Sequence, residues 1–156
     1  MEIHSIFVYG SLKRSYLRSA VWPHPPVSVQ EGVIRARLFD LGPYPAIALH
    51  SEGSDANDCV LGELWTLTPE HIVETLAVLD SVEGYVPSNT QNEYIRRVVL
   101  VNLADEVMVD AFVYEYADVL RLVSFRRIGA DRDFGGMKVA AWPDQLARVP
   151  KSFEDE

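Results

Sequence analysis

Cysteine is almost missing from this sequence. Cys59 stands alone, so no disulfide can close within the chain and no thiolate cluster can hold zinc. A reducing compartment, the cytoplasm, is the expected setting. Long apolar runs are missing too: no stretch approaches the ~18–20 residues that cross a bilayer. The first ten residues have neither the basic segment nor the long apolar segment of a secretory leader, so none is expected. Basic residues are few, 14 Lys+Arg against 23 Asp+Glu, for a formal net charge of -9. That balance repels phosphate backbones, which argues against nucleic acid as a partner and leaves a small polar substrate open. His4, His24, His50 and His71 are scattered without the spacing of metal ligands, and no metal is expected.

What is present is enough for a core. Hydrophobic residues make up 48% of the 156, charged residues 24% and aromatics 10%, the profile of an ordinary globular chain. The length suits one domain, expected over residues 1–150, with 151–156 as a frayed tail.

Residues 3–9 are apolar and β-favouring and end at Gly10, which predicts a buried strand running into a turn. A short helical piece is expected over 16–21, and the proline-rich run Trp22-Pro23-His24-Pro25-Pro26 is an extended connector. Partial alternation over 27–41 predicts a long strand closed by Gly42-Pro43-Tyr44-Pro45. Shorter strands follow at 46–49 and 60–67, with a polar loop at 51–58 between them. Thr68-Pro69-Glu70 then reads as a hydroxyl N-cap, proline at the first helical position and an early acid. Ile72, Leu76 and Leu79, with Val73 alongside, predict a buried helical face that ends at Gly84. Residues 93–103 and 107–116 predict a hairpin turning at Ala104-Asp105-Glu106. Beyond Leu120 the pattern weakens. The sum is an α+β domain with a mainly antiparallel sheet; closure of that sheet does not follow from periodicity.

Among residues that could carry chemistry, Glu83 comes first, because a carboxylate at a helix C-terminus faces the negative end of the macrodipole. Asp80, three residues earlier, adds a like charge, and both effects raise a carboxyl pKa toward the range of a general base. The competing reading is a solvated acidic helix end. Tyr9-Gly10-Ser11-Leu12 is a strand-to-turn junction whose successive amides can form an anion-binding nest, or it is an ordinary turn. Ser11 lacks the flanking glycines of a nucleophile elbow. Tyr94 and Tyr114, with Arg96, Arg97 and Tyr116, form either a phenol rim around a pocket or cross-strand packing. Cys59 reads as buried and inert.

Four motifs occur in order: Phe7-Val8-Tyr9-Gly10-Ser11-Leu12-Lys13-Arg14, Gly42-Pro43-Tyr44-Pro45-Ala46, Leu79-Asp80-Ser81-Val82-Glu83-Gly84-Tyr85 and Tyr94-Ile95-Arg96-Arg97. Together they resemble the gamma-glutamylcyclotransferase-like superfamily, with the opening motif nearer the branch acting on gamma-glutamylamines and its bacterial relatives. The resemblance implies a small mixed, mainly antiparallel β-barrel with a flanking α-helix. It implies Glu83 as catalytic acid/base, a glutamyl site lined by Tyr9, Gly10, Ser11 and Leu12, and a small gamma-glutamyl substrate; Tyr94 and Tyr114 of the phenol rim are added as expected substrate-binding residues, and an intramolecular lactam closure of this kind needs no cofactor. Ser15-Tyr16-Leu17 departs from the pattern, and the stretch from Arg121 onward has no counterpart in it. A binding or regulatory domain on the same fold, and a different acyl transfer using Glu83, are the alternatives.

Overall fold

In the computed structural model, which describes residues 2–14, 16, 18–51 and 56–144, the strands run in the order the sequence suggests and then close. β1 (Ser5–Val8), β2 (Ser28–Asp40), β3 (Pro45–Leu49), β4 (Cys59–Thr66), β5 (Tyr94–Leu103) and β6 (Met108–Tyr116) carry the main sheet, and α1 (Ile72–Glu83) is the one α-helix among the described residues. The path β2-β4-β1-β6-β5 returns to β2 through Gly32↔Leu103 and Val33↔Asn102, so five strands form a closed barrel. All of these pairings are antiparallel except β1 with β6, which makes the barrel mixed. β3 and the short β7 (Arg126–Ile128) extend β2 beyond the barrel; β8 (Arg132–Phe134) and β9 (Met137–Val139) form a separate hairpin.

β1 is buried throughout and apolar after Ser5, because both of its faces are covered. Phe7 points with Ile34, Val60 and Val101 into one cluster, inside the barrel. Ile6 and Val8 point the other way, into a second cluster with Trp65, Leu76 and Leu79 that fills the space beneath α1. Burying each large apolar chain of this kind contributes about 1.5–3 kcal/mol, so the stripe Ile72, Leu76 and Leu79 holds the helix on the wall. Gly84 ends it in the left-handed conformation (φ 69°), and the amides of Gly84 and Tyr85 bond back to Ser81 and Asp80. The position of Glu83 is thereby fixed.

Several local expectations are corrected. Thr68 does not cap the helix: Pro69–His71 is a single 3-10 turn, and the Thr68 hydroxyl meets His71 Nδ1 at 2.9 Å. Val73 is 77% exposed, since it lies one residue off a narrow apolar stripe, and Thr75 is buried in its place. The helical piece at 16–21 is a 3-10 turn at Ser19–Val21. The weak pattern after Leu120 hides real packing, with Leu122, Ile128 and Trp142 all buried. The loop expected at 51–58 and the tail at 151–156 fall partly or wholly outside the described residues. The hairpin is as expected, from Tyr94↔Tyr116 to Asn102↔Met108. No helix among the described residues is long and apolar enough to cross a membrane.

Candidate active site

The end of β1, the end of α1, the start of β5 and the end of β6 meet at one place, around a cavity of about 380 Å³ counting its open mouth. Its floor is the turn Tyr9 to Leu12 and its walls are Tyr94, Tyr114 and Pro45, with Glu83, Arg18 and Tyr44 around the charged end. Glu83, Tyr9, Gly10, Ser11, Leu12, Tyr94 and Tyr114 all line this cavity, whereas Asp80, Arg96, Arg97 and Tyr116 do not.

The turn is shaped by close approach. A Cβ on Gly10 would lie 2.7 Å from Pro45 Cγ and 2.8 Å from Cδ, so only glycine lets the turn press against the proline. Its carbonyls are engaged: Gly10 O accepts from Lys13 N–H at 3.0 Å, Ser11 O from Arg18 N–H at 2.8 Å, and Leu12 O from Trp22 Nε1 at 3.1 Å. Trp22 in turn stacks on Trp65 with centroids 4.1 Å apart, which docks the proline-rich connector over the turn. Lys13 donates to Trp142 O at 2.5 Å, tying the segment after β9 to the same turn. Burial lowers the Lys13 pKa to about 8.

The tyrosines contribute rings rather than free hydroxyls. Tyr9 donates to Tyr114 O at 2.6 Å, Tyr94 to Pro45 O at 3.0 Å and Tyr114 to Asp80 Oδ1 at 2.6 Å. Burial pushes all three phenols well above their ordinary range, and they stay neutral. Both readings of the aromatic cluster therefore hold: Tyr94 packs edge-on against Tyr116 (5.5 Å, 89°) and also lines the cavity, whereas Tyr116 does not reach it.

Glu83 is the polar centre. Its side chain is 12% exposed, and its nearest cation is Arg18 Nη1 at 3.8 Å. Burial raises its pKa to about 7; Arg18 opposes the rise and Glu93 adds to it. The expected like-charge partner is thus corrected from Asp80 to Glu93. Asp80 is turned to Arg96 at 2.5 Å and to the Tyr114 hydroxyl. A carboxyl that is half ionised near neutrality can both take and return a proton.

Arg18 and Tyr44 were not singled out as site residues from sequence. Arg18 lies with its guanidinium 4.1 Å from the Tyr44 ring centroid, and both line the cavity. The one available signal was Tyr44 within Gly42-Pro43-Tyr44-Pro45. Among the described residues no three His, Cys, Asp or Glu side chains are grouped as a metal site. Cys59 is buried and its thiol pKa is raised by that burial.

Solved structures share this architecture. An AIG2-like protein from Mus musculus superposes with TM-score 0.59 at 20% identity, over 93% of this chain and 99% of its own. A protein from Arabidopsis thaliana gives 0.58 at 23% identity, over 79% and 68%. YkqA from Bacillus subtilis gives 0.52 at 15% identity over 74% of this chain, which spans only 36% of that longer protein. At such identities the likeness is one of fold. No functionally curated protein matches in sequence. The family model described as gamma-glutamyl cyclotransferase, AIG2-like, matches residues 6–133. The chain belongs to that family.

Proposed function

We propose that this chain releases 5-oxoproline and a free amine from a gamma-glutamyl amine or gamma-glutamyl amino acid. The observation that supports this most is the buried Glu83 carboxyl, with a pKa of about 7, opening into the same cavity as the Tyr9 to Leu12 turn.

Ionised Glu83 takes a proton from the substrate's α-ammonium group. The freed amine nitrogen attacks the γ-carbonyl carbon, and a five-membered lactam forms as the C–N bond to the leaving amine breaks. Protonated Glu83 gives its proton to the departing nitrogen, then takes the second proton from the new ring nitrogen and passes it to the freed amine, which leaves as an ammonium ion while Glu83 returns to its starting form. Atoms balance without water, oxidant or cofactor. Because nucleophile and carbonyl belong to one molecule, holding the glutamyl chain curled supplies much of the rate, and effective molarities of well-oriented cases reach ~10⁵ M or more. The Tyr94 and Tyr114 rings and Pro45 confine that chain. The turn has its carbonyls engaged elsewhere, so the amides of residues 10–12 are its groups for stabilising negative charge on the γ-carbonyl oxygen.

The test is to incubate the purified protein with a panel of gamma-glutamyl amino acids and amines and to quantify 5-oxoproline by mass spectrometry, with Glu83→Gln as control. Turnover by the wild type and its loss in the variant are expected. Equal turnover by both would remove Glu83 from the mechanism. Failure across a broad panel would favour a binding domain on this fold.

A further inference from the structure

Arg18 has no role in the proton transfers above, yet it is placed with care. Its own amide bonds Ser11 O at 2.8 Å, so its backbone is tied to the turn that floors the cavity. Its guanidinium lies over the Tyr44 ring, 4.1 Å from the centroid, which holds the planar group at the cavity wall. The side chain is 24% exposed and lines both the glutamyl cavity and the shallower groove outside it.

What it lacks is a close partner. The nearest carboxylate oxygen, Glu83 Oε1, is 3.8 Å away, beyond the 2.7–3.2 Å of a real N–H···O bond. Among the described residues, the guanidinium donates no hydrogen bond. The raised pKa of Glu83 agrees: burial outweighs Arg18, as it would not in a tight bidentate pair. A guanidinium with open donors beside a proton-accepting carboxyl presents two complementary groups 3.8 Å apart. An α-amino acid head group has its nitrogen and its carboxylate oxygens separated by about 3 Å, from standard bond lengths.

We propose that Arg18 is the specificity-determining residue of this site: it binds the free α-carboxylate of the glutamyl unit while Glu83 faces the α-amino group on the same carbon. This rests on the cyclotransferase reading and deepens it by separating two kinds of negative charge. The carboxylate goes to Arg18, and the turn amides are left for the oxygen of the γ-carbonyl. The substrate class is thereby narrowed to glutamyl units linked through the γ-carboxyl with the α-carboxylate unmodified. Glutaminyl or glutamyl residues whose α-carboxyl is in a peptide bond are rejected. Glu93, exposed in the outer groove, discourages the carboxylate from binding there and favours the inner position.

Two paired measurements test this. In the first, kcat/KM is compared for a gamma-glutamyl amide and for the 4-aminobutanoyl amide of the same amine, which cyclises by the same chemistry but lacks the α-carboxylate. The wild type is expected to favour the former by about 10- to 100-fold, the worth of one charge-assisted hydrogen-bonded contact. In Arg18→Gln the preference falls to within a few-fold, mainly through KM, and Arg18→Lys restores part of it. A merely structural Arg18 would lower both substrates alike and leave the ratio unchanged, which overturns the proposal. The second measurement needs no turnover: calorimetric titration with 5-oxoproline and with 2-pyrrolidinone, which differ only in the carboxylate. The wild type should bind 5-oxoproline at least 10-fold more tightly, and Arg18→Gln should not. Equal binding of the two by wild type, or binding of neither, overturns the role of Arg18. Carboxylate-selective binding without turnover on any amide instead leaves Arg18 in place and removes the enzyme reading.

Discussion

Asp80 and Glu83 leave the same end of α1 and meet opposite surroundings. Asp80 receives Arg96 at 2.5 Å and the Tyr114 hydroxyl at 2.6 Å, and Arg96 is itself packed near the Tyr85 and Phe112 rings. Glu83 is about as buried, with 12% of its side chain exposed against 17% for Asp80, but its nearest cation stays at 3.8 Å. Similar burial therefore has opposite consequences. The carboxylate with short partners fixes the helix to the β5–β6 hairpin, and the one without them is left to titrate near neutrality. An under-satisfied buried carboxyl is costly to the fold, and such costs are tolerated where a site needs them.

The largest effect expected from breaking this contrast is catalytic. Glu83→Gln should lower kcat for 5-oxoproline release by about 10²–10⁴-fold, the usual worth of a positioned acid/base. The same variant should sharpen the thermodynamic side. The Glu83 pKa lies above the ordinary glutamate value near 4.5, at about 7 when folded. The folded protein thus holds this proton more tightly than the unfolded chain, and the stability it lends is full below about 4.5 and is lost as pH rises through about 7. Glu83→Gln should accordingly match the wild type in denaturant unfolding near pH 4.5. Above pH 7 it should exceed it, by on the order of 1–3 kcal/mol.

On the Asp80 side the order reverses, with stability first and activity second. Asp80→Ala strands Arg96 and frees the Tyr114 hydroxyl, and should cost about 2–3 kcal/mol, less than a fully buried pair because Arg96 is 25% exposed. Activity should fall mainly because Tyr114 shifts in the cavity wall. Gly10→Ala acts on the floor beneath Glu83: a methyl 2.7 Å from Pro45 forces the turn outward, at about 1–3 kcal/mol and with a raised KM. The smallest effect belongs to the opposite face of the same helix. Val73→Ala removes an exposed side chain and should change stability by less than about 0.5 kcal/mol and activity not at all.

How much of this was legible depends on the range over which each feature is determined. Glu83 could be found because its position is set locally, by an apolar stripe and a stopping glycine, both visible in a dozen residues. The turn at Gly10 was visible for the same reason, and so was the β5–β6 hairpin. The identity of the like charge beside Glu83 was not, because three residues along a helix is close in sequence while Asp80 is drawn away by Arg96 from β5. Arg18 was missed because its place depends on Ser11 O and on Tyr44 from a different turn. β7, β8 and β9 have three residues each, too few for any period to register. Thr68 shows the reverse failure: a well-formed cap signal gave way to a 3-10 turn and a hydroxyl bonded to His71. Closure of the barrel rests on Gly32 and Val33 of β2 meeting β5 from some 70 residues away, a pairing that periodicity does not encode and the family resemblance did.

The proposed chemistry requires Glu83 to be a buried carboxyl that titrates near neutral pH. Its carboxyl carbon can be followed directly by ¹³C NMR on glutamate-labelled protein, assigned by comparison with Glu83→Gln. A titration midpoint near 7 is expected; a midpoint at or below about 4.5, the ordinary glutamate range, would contradict it.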